Sequence, residues 1–362
     1  MATPPVGPSI CNGLGRASTA CKGSGMKRYF TALLAGCAAI SWDALSSPSR
    51  ANDTSAELAI GGLVFTKNSD VSIESEDLAI TPAAVTVRYV FLNQSASPVT
   101  LTVAFPLPDI DLTDAETLAF PTNDPANFVG FSTKVDGKPV NFTVNQRAFV
   151  NNKEVTATLR NMGIPIMPIG AQQSKIAELP QPARDRAVAE GLLAPSGTND
   201  KGEPFYEARW TLKTSVVRQQ TFPPGKPVTV EHRYRTSIGM SFDSVLRQGL
   251  RQKKGMESEV QRYKTNYCIP DDFLKSLDKL AGADEANKAK VMERRISYVL
   301  TTGANWAGPI KDFRLVVDKG GVDRLVSFCG EGVKKISATS FEMRAKDFTP
   351  TQDLNIIILS RR

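Results

Sequence analysis

Residues 84–110, AVTVRYVFLNQSASPVTLTVAFPLPDI, carry the pattern that decides the fold class. Val85, Val87, Tyr89 and Phe91 alternate with Thr86 and Arg88. After a polar break over 93–98, Val99, Leu101, Val103 and Phe105 alternate with Thr100 and Thr102. A repeat of two puts one set of side chains on each face of a half-buried strand. The expectation is two strands joined by a turn, a hairpin. Pro106 and Pro108 end the second strand, because proline has no N–H to give a ladder.

The same pattern extends on both sides. Upstream, 63–66 and an alternating pair around Val71, Ile73, Leu78 and Ile80 read as strands. Downstream, 128–135 precedes the turn pair Asp136-Gly137, and Val140, Phe142 and Val144 alternate after it, predicting a second hairpin. Tyr206, Ala208, Trp210 and Leu212 share a face; so do Val228, Val230, His232 and Tyr234 beyond Pro223-Pro224-Gly225, predicting a third. The end of the chain is β again, and 354–359 is apolar on both faces, which places it centrally in a sheet. Between these lie helical patterns. Residues 183–193 form the firm part of an arm over 169–203, and the loop 195–204 is the expected proteolysis point. Pro270-Asp271-Asp272 starts a helix, since proline suits the first turn and the dipole favours acids there. Phe273, Leu277, Leu280 and Ala281 make its apolar stripe and Gly282 its stop. Met292, Ile296 and Val299 continue at helical spacing, with a strand over 296–301 as the alternative. The fold class read from this is mainly β: two antiparallel sandwich-like units with helical insertions at about 170–200 and 245–300. The units divide as 52–240, carrying the arm 170–203, and 241–362, a helical segment followed by β.

The chain opens differently. Residues 1–25 are rich in Pro, Gly, Ser and Ala without hydrophobic period and are expected to be disordered, or an upstream extension before a true start at Met26. Lys27 and Arg28, the apolar run 29–42 and a small-residue exit ending at Ala51 form a signal peptide over 26–51. The run is shorter than the roughly 20 residues a bilayer needs. Two exits are open: cleavage after Ala51, leaving Asn52 first, or lipidation at Cys37 within Leu34-Ala35-Gly36-Cys37, the minority reading. Either makes the product periplasmic or secreted.

Export changes the charge. The chain has 44 basic and 37 acidic residues and a net charge of +7. Arg16, Lys22, Lys27, Arg28, Arg50 and Asp43 precede Asn52, so 39 bases and 36 acids remain, a net +3. That is no electrostatic case for nucleic acid. No later run approaches membrane-spanning length. Of five cysteines only Cys268 and Cys329 lie beyond the leader, and an oxidising compartment favours their pairing.

Catalytic devices are scarce. The single histidine, His232, sits in an alternating strand, where a packed or hydrogen-bonded residue is commoner than a base. No HExxH, CxxC, GxSxG or GxxxxGK[ST] occurs. Asp109 and Asp111 are weak candidates for an oxygen-rich metal corner, read in preference as turn residues. Asp271 and Asp272 could pair as acid and base, although adjacent helical residues point about 100° apart and their helix-start role already explains them. Trp306, flanked by turn residues, is a ligand-facing candidate. No catalytic residue, cofactor or resident metal is assigned.

Several stretches resemble an uncharacterised family of exported proteobacterial proteins, a domain of unknown function. They are ELAIGGLVFTKNSDVSIESEDLAIT, the quoted central stretch, HRYRTSIG at 232–239, NYCIPDDFL at 266–274, NWAGPIKDFRLVVDKG at 305–320, and 325–359. The resemblance covers essentially the whole mature chain and implies export with no assigned activity. YVFLNQSASPV, AFPLP and VDGK are also similar to the N-terminal β domain of inter-alpha-trypsin-inhibitor heavy chains and vault-associated proteins, over the first third, which implies an interaction module. Three functions are carried forward in order. The first is a non-catalytic binding module of the cell envelope, its partner an envelope protein or small ligand. The others are a secreted carboxylate-dependent hydrolase of envelope glycans and a lipid-anchored assembly component. The pattern speaks against an enzyme more than for one.

Overall fold

The computed structural model describes residues 53–59, 62–113, 118–198, 202, 204–282 and 291–362. The leader, with Cys37, Ala51 and the expected start at Met26, lies outside them. The first strands in chain order are β1 (Thr54–Ala59), β2 (Gly62–Thr66), β3 (Val71–Ile80), β4 (Ala84–Asn93), β5 (Val99–Pro106) and β6 (Ile110–Asp111). Then come β7 (Leu118–Ala119), β8 (Ser132–Val135), β9 (Lys138–Pro139), β10 (Thr143–Val150) and β11 (Lys153–Glu154). Helices α1 (Thr156–Asn161), α2 (Ser174–Ala177) and α3 (Gln181–Ala189) follow. Next are β12 (Leu193–Thr198), β13 (Pro204–Ala208), β14 (Thr211–Phe222), β15 (Pro227–Arg235) and β16 (Ile238–Ser241). Helices α4 (Gln248–Arg251), α5 (Glu257–Asn266) and α6 (Asp271–Ala281) separate these from β17 (Val291–Tyr298) and β18 (Ile310–Asp318). The chain closes with β19 (Leu325–Phe328), β20 (Lys334–Lys335), β21 (Ser340–Phe348) and β22 (Leu354–Arg361). The protein is mainly β.

One sheet runs β11-β10-β14-β5-β1-β2, with β6 also on β14; a second runs β20-β21-β18-β3-β4-β15-β8-β9. They pack face to face. Phe91 of β4 meets Phe222 of β14 with centroids 5.6 Å apart, and Phe105 of β5 meets His232 of β15 at 4.9 Å. Alternation is the cause: on β4, Val85, Val87, Tyr89 and Phe91 are buried while Arg88 is exposed. The pairs read as hairpins around 93–98 and 221–226 are not hairpins. β4 and β5 lie in opposite sheets, as do β14 and β15, so each connection is an arch from one layer to the other. Period-two alternation reports which face is buried, and it is the same whether the next strand lies alongside or opposite. Asn93 locks the two arches together: its buried Nδ2 donates to the carbonyls of Ser97 and Phe222, and its Oδ1 accepts from Ser95 N. At Asp136-Gly137 a short hairpin does form, as β8–β9, but the strand expected through Val140, Phe142 and Val144 does not continue it: β10 pairs with β14 in the opposite sheet.

Strands from both sides of residue 240 share the second sheet. β18 pairs with β3 in parallel, whereas the other strand pairs among the described residues are antiparallel. A third sheet, β19-β22-β17-β16-β7, holds β22 centrally as its doubly apolar sequence requires. Ile356 and Ile358 enter the sandwich core, while Ile357 and Leu359 face a second core built on α5 and α6. In that second core α6 buries Phe273, Leu274, Leu277 and Ala281.

Within the helical insertion expected over 245–300, α6 ends at Ala281 and residues 283–290 lie outside the described ones. Residues 291–298 are strand β17, because the buried Val291, Glu293, Ile296 and Tyr298 fit a ladder against β22 as well as a helical stripe. In the arm over 170–203, helix ends at Ala189 and Leu193–Thr198 pairs with β13 instead of remaining a loop. No helix among the described residues is long and apolar enough to cross a membrane.

Candidate functional site

The prolines that end β5 also open a cleft. Without a ladder donor at 106 or 108 the chain leaves the sheet, returns Leu107 N to the Thr214 carbonyl at 2.8 Å, and re-enters as β6. Between this bend, the β15–β16 connection and β17 lies a cavity of about 240 Å³. Its walls are apolar at Val85, Leu107, Ile110, Phe128 and Val129. Thr236, Ser237 and Ser297 add hydroxyls, Tyr234 and Tyr267 add rings, and Arg295 brings a cation.

Arg295 is held by what stands behind it. The pairing of β16 with β17 sets Gly239 opposite Arg295. A Cβ at Gly239 would lie 3.3 Å from the guanidinium Nε and 3.6 Å from Nη2, so a side chain there would crowd the group, which glycine leaves room to lie against the backbone. Nη1 donates to Tyr263 Oη at 3.3 Å, and Nε faces Glu293 Oε1 at 3.5 Å. Glu293 is buried and accepts from Ser244 Oγ at 2.6 Å and Tyr263 Oη at 2.9 Å. Burial pushes the Glu293 carboxyl above its ordinary value against the pull of those hydrogen bonds. Burial works against the Arg295 cation too, but Tyr263 and Glu293 outweigh it and the guanidinium is held charged. Nη2 has no protein hydrogen-bond partner among the described residues.

The rim is pinned by the disulfide. Tyr267 caps α5, and the next residue, Cys268, is bonded to Cys329 across a separation of 61 residues. Ser327 Oγ donates to the carbonyls of Tyr267 and Cys268 at 2.9 and 3.2 Å. The pairing of Cys268 with Cys329 is thus present, and its place beside the cleft is new.

The structure gathers only some of the sequence candidates here. Asp109 and Asp111 line the cleft. Asp109 pairs with Lys213 Nζ at 3.2 Å, and Asp111 Oδ1 accepts Thr113 N at 2.9 Å, the turn role expected of it. No cluster of three or more potential metal ligands occurs among the described residues. Asp271 and Asp272 lie outside the cleft, exposed at the start of α6 and paired with Lys264 and Lys275. Trp306 is also elsewhere and offers no open face. It is 4 % exposed, its ring 4.7 Å from Phe91, and its indole N–H donates to the Asp53 carbonyl. The turn residues around it suggested exposure, but its ring packs on Phe91 and Phe222 and is buried.

Sequence reasoning missed a charged cluster inside the sandwich. Asp53, Arg218 and His232 are all buried, with Asp53 Oδ2 2.9 Å from Arg218 Nη2 and 3.0 Å from His232 Nε2. No motif announces it, because its members are 165 and 179 residues from Asp53. The signal was present only as an arginine and a histidine at inward positions of alternating strands.

A family model described as "Domain of unknown function (DUF4424)" matches residues 51–357. No curated protein is similar to the chain. Among solved structures, a candidate nutrient binding protein from Legionella pneumophila is 12% identical, with a TM-score of 0.40, over 86% of this chain and 70% of that one. A mutant M1 zinc metallopeptidase from Deinococcus radiodurans, bound to a Tyr-Ser-Ala substrate, is 9% identical, with a TM-score of 0.24, over 81% of this chain and 43% of that one. Likenesses this slight carry no argument about ligand or activity.

Proposed function

The chain belongs to the DUF4424 family, and from that premise we propose that it is an exported β protein of the cell envelope that binds a small ligand in the Arg295 cleft without transforming it. The observation that carries this reading is a charged guanidinium with an unused donor edge, set among apolar walls in a preformed concavity. A hydrolase would need two carboxylates free to converge on one bond. Asp109 is instead engaged by Lys213 and Asp111 by the turn it forms, which favours binding over cleavage. Export is supported by a family match that begins at residue 51, next to the expected cleavage point, and by a disulfide of the kind oxidising compartments sustain. The weaker likeness of the first third to inter-alpha-trypsin-inhibitor and vault-associated β domains is compatible with an interaction role.

Intact mass of the protein recovered from the exporting cells, native and denatured, tests both parts. A denatured mass that starts at Asn52 and lacks two hydrogens agrees with cleavage after Ala51 and the disulfide. A native-only increment that disappears in Ser237→Trp, where the indole fills the cleft, agrees with a bound ligand there. An increment unaffected by Ser237→Trp would place the ligand elsewhere. A mass starting at Cys37 with acyl chains would replace the soluble reading by a lipid-anchored one.

A further inference from the structure

Resting on the cleft reading above, we propose that the ligand is a small monocarboxylic acid with an apolar body, its carboxylate held by Arg295 and its body by the Leu107–Ile110–Phe128 wall.

Three observations lead there. The first is donor geometry. Nε and Nη1 of Arg295 already face Glu293 and Tyr263, so the edge carrying Nη2 is the one left to meet a ligand. A guanidinium edge in a partly dry site is matched by a carboxylate oxygen, with a charge-assisted hydrogen bond. Ser237 supplies a neutral hydroxyl nearby, whereas the Ser297 hydroxyl is already donated to Asn355 Oδ1 at 2.8 Å.

The second is charge balance. Arg295 is the one cation among the described lining residues, while Asp109 and Asp111 stand at the wall and the buried Glu293 lies behind the guanidinium. Asp109 is offset by Lys213, but Asp111 has no basic partner among the described residues. Arg295 can hold one carboxylate, and a singly charged acid meets less repulsion from Asp111 and Glu293 than a doubly charged one. A doubly charged phosphate would add repulsion from Asp111 and Glu293 with no second cation to repay it.

The third is size and lining. A cavity of about 240 Å³ holds the volume of about eight waters at ~30 Å³ each. Leu107, Ile110, Phe128, Val129 and Val85 offer nothing to a polar body and bury an aliphatic or aromatic one. The match is therefore a short fatty acid or an arylalkanoic acid.

Hexanoate and 3-phenylpropionate, each against its primary amide, are the probes, with affinity measured by calorimetry on the whole exported protein. The acids are expected to bind about 10- to 100-fold more tightly than the amides, the range a hydrogen bond to a charged group supplies. Arg295→Gln should erase that preference. Because Arg295 also braces Glu293, a second variant is needed: Gly239→Ala keeps the charge but crowds the guanidinium at Nε so that it must shift by a few tenths of an ångström, and it should narrow the preference while melting as cooperatively as wild type. Equal binding of acid and amide, or an acid preference that survives Arg295→Gln, overturns the monocarboxylate assignment. If such binding is still abolished by Ser237→Trp, the cleft reading stands without it. Acid binding unchanged in Ser237→Trp overturns both. Failure of every probe at millimolar concentration overturns the assignment and leaves the cleft to the native mass increment. The matched amino acid phenylalanine, which adds an ammonium to 3-phenylpropionate, should bind no better than the plain acid; a clear gain would make Asp111 part of the site and the ligand a zwitterion.

Discussion

Asp53 and Arg218 form a two-pronged ion pair inside the sandwich, Oδ2 to Nη2 at 2.9 Å and Oδ1 to Nη1 at 3.4 Å, with both side chains buried. His232 completes it from the facing sheet through Nε2. The residue before β1 is thereby tied to both layers. Trp306 donates to the Asp53 carbonyl and Asn305 Nδ2 to Thr54 Oγ1 at 2.9 Å, so the same segment is held from the third side as well.

Breaking this pair on one side should cost more than removing it. Asp53→Asn keeps shape but leaves the Arg218 cation buried beside a neutral amide, and is expected to lower stability by about 3–5 kcal/mol. The variant Asp53→Leu with Arg218→Met and His232→Leu should recover much of that loss, since no charge or ring nitrogen then needs compensation. Urea denaturation of the three proteins measures it; a triple variant no better than Asp53→Asn would show that the cluster contributes net stability of its own.

The cluster also sets a pH dependence. Burial, the largest influence, holds the His232 imidazole below its ordinary value of 6.5; Asp53 pulls the other way and Arg218 adds to the lowering. The unfolded chain takes up a proton below about pH 6.5 while the folded chain does not, so His232's contribution is complete above that pH and is lost as pH falls toward the folded value. For Asp53, burial raises the carboxyl, but Arg218 and His232 outweigh it and hold it below the ordinary carboxylate value of 3.8, so its contribution is lost only in stronger acid. Thermal stability should therefore decline from pH 7 to pH 5, and His232→Gln should flatten that decline. A wild-type melting temperature constant over this interval would contradict the neutral, buried imidazole.

Asn93 should behave as the keystone of the arches. Asn93→Ala leaves the carbonyls of Ser97 and Phe222 and the amide of Ser95 without their side-chain partner, at a cost of at least about 2 kcal/mol by the penalty for unsatisfied buried groups. Asn93→Asp restores the acceptor but not the two donors and should recover little. Chemical denaturation checks both.

Reduction of Cys268–Cys329 should act locally. The bond joins the α5–α6 turn to β19, in the core that α6 shares with Leu359, apart from the Phe91–Phe222 packing of the sandwich. By the chain-entropy estimate, a loop of this length is worth about 4 kcal/mol. Dithiothreitol should lower the first melting event and speed hydrogen exchange over α5 and α6, with amides of β4, β14 and β15 still protected. Equal loss of protection in the sandwich would mean that the two cores unfold as one.

How much of this was legible follows from what each pattern encodes. The inward residues of β4, β5, β14 and β15 were readable because alternation depends on burial alone. Their partners were not, because a six-residue polar break closes a hairpin or crosses between layers with the same amino acids; Asn93 tells the two apart only once Phe222 is beside it. The α6 helix was legible from Pro270 to Gly282, since caps and stripe are local. β17 was not, as Met292, Ile296 and Val299 fit either period until β22 is seen alongside. For the site, Asp109 and Asp111 were noticed on the bend that the prolines create. Arg295 was not, because its significance comes from Gly239 and Tyr263, 56 and 32 positions away, and no spacing rule joins them.

The parallel ladder of β3 with β18 has a consequence in time. It sets Glu76 opposite Phe313, so the middle of the second sheet is sewn from segments more than two hundred residues apart. Until the last quarter of the polypeptide is present, β3 can pair with β4 but keeps its other edge open, with every N–H and C=O along it seeking a partner. Contacts of this separation slow the final collapse. The chain must therefore wait for its own end before it can settle, and while it waits it is a substrate for whatever keeps unpaired strands from finding one another.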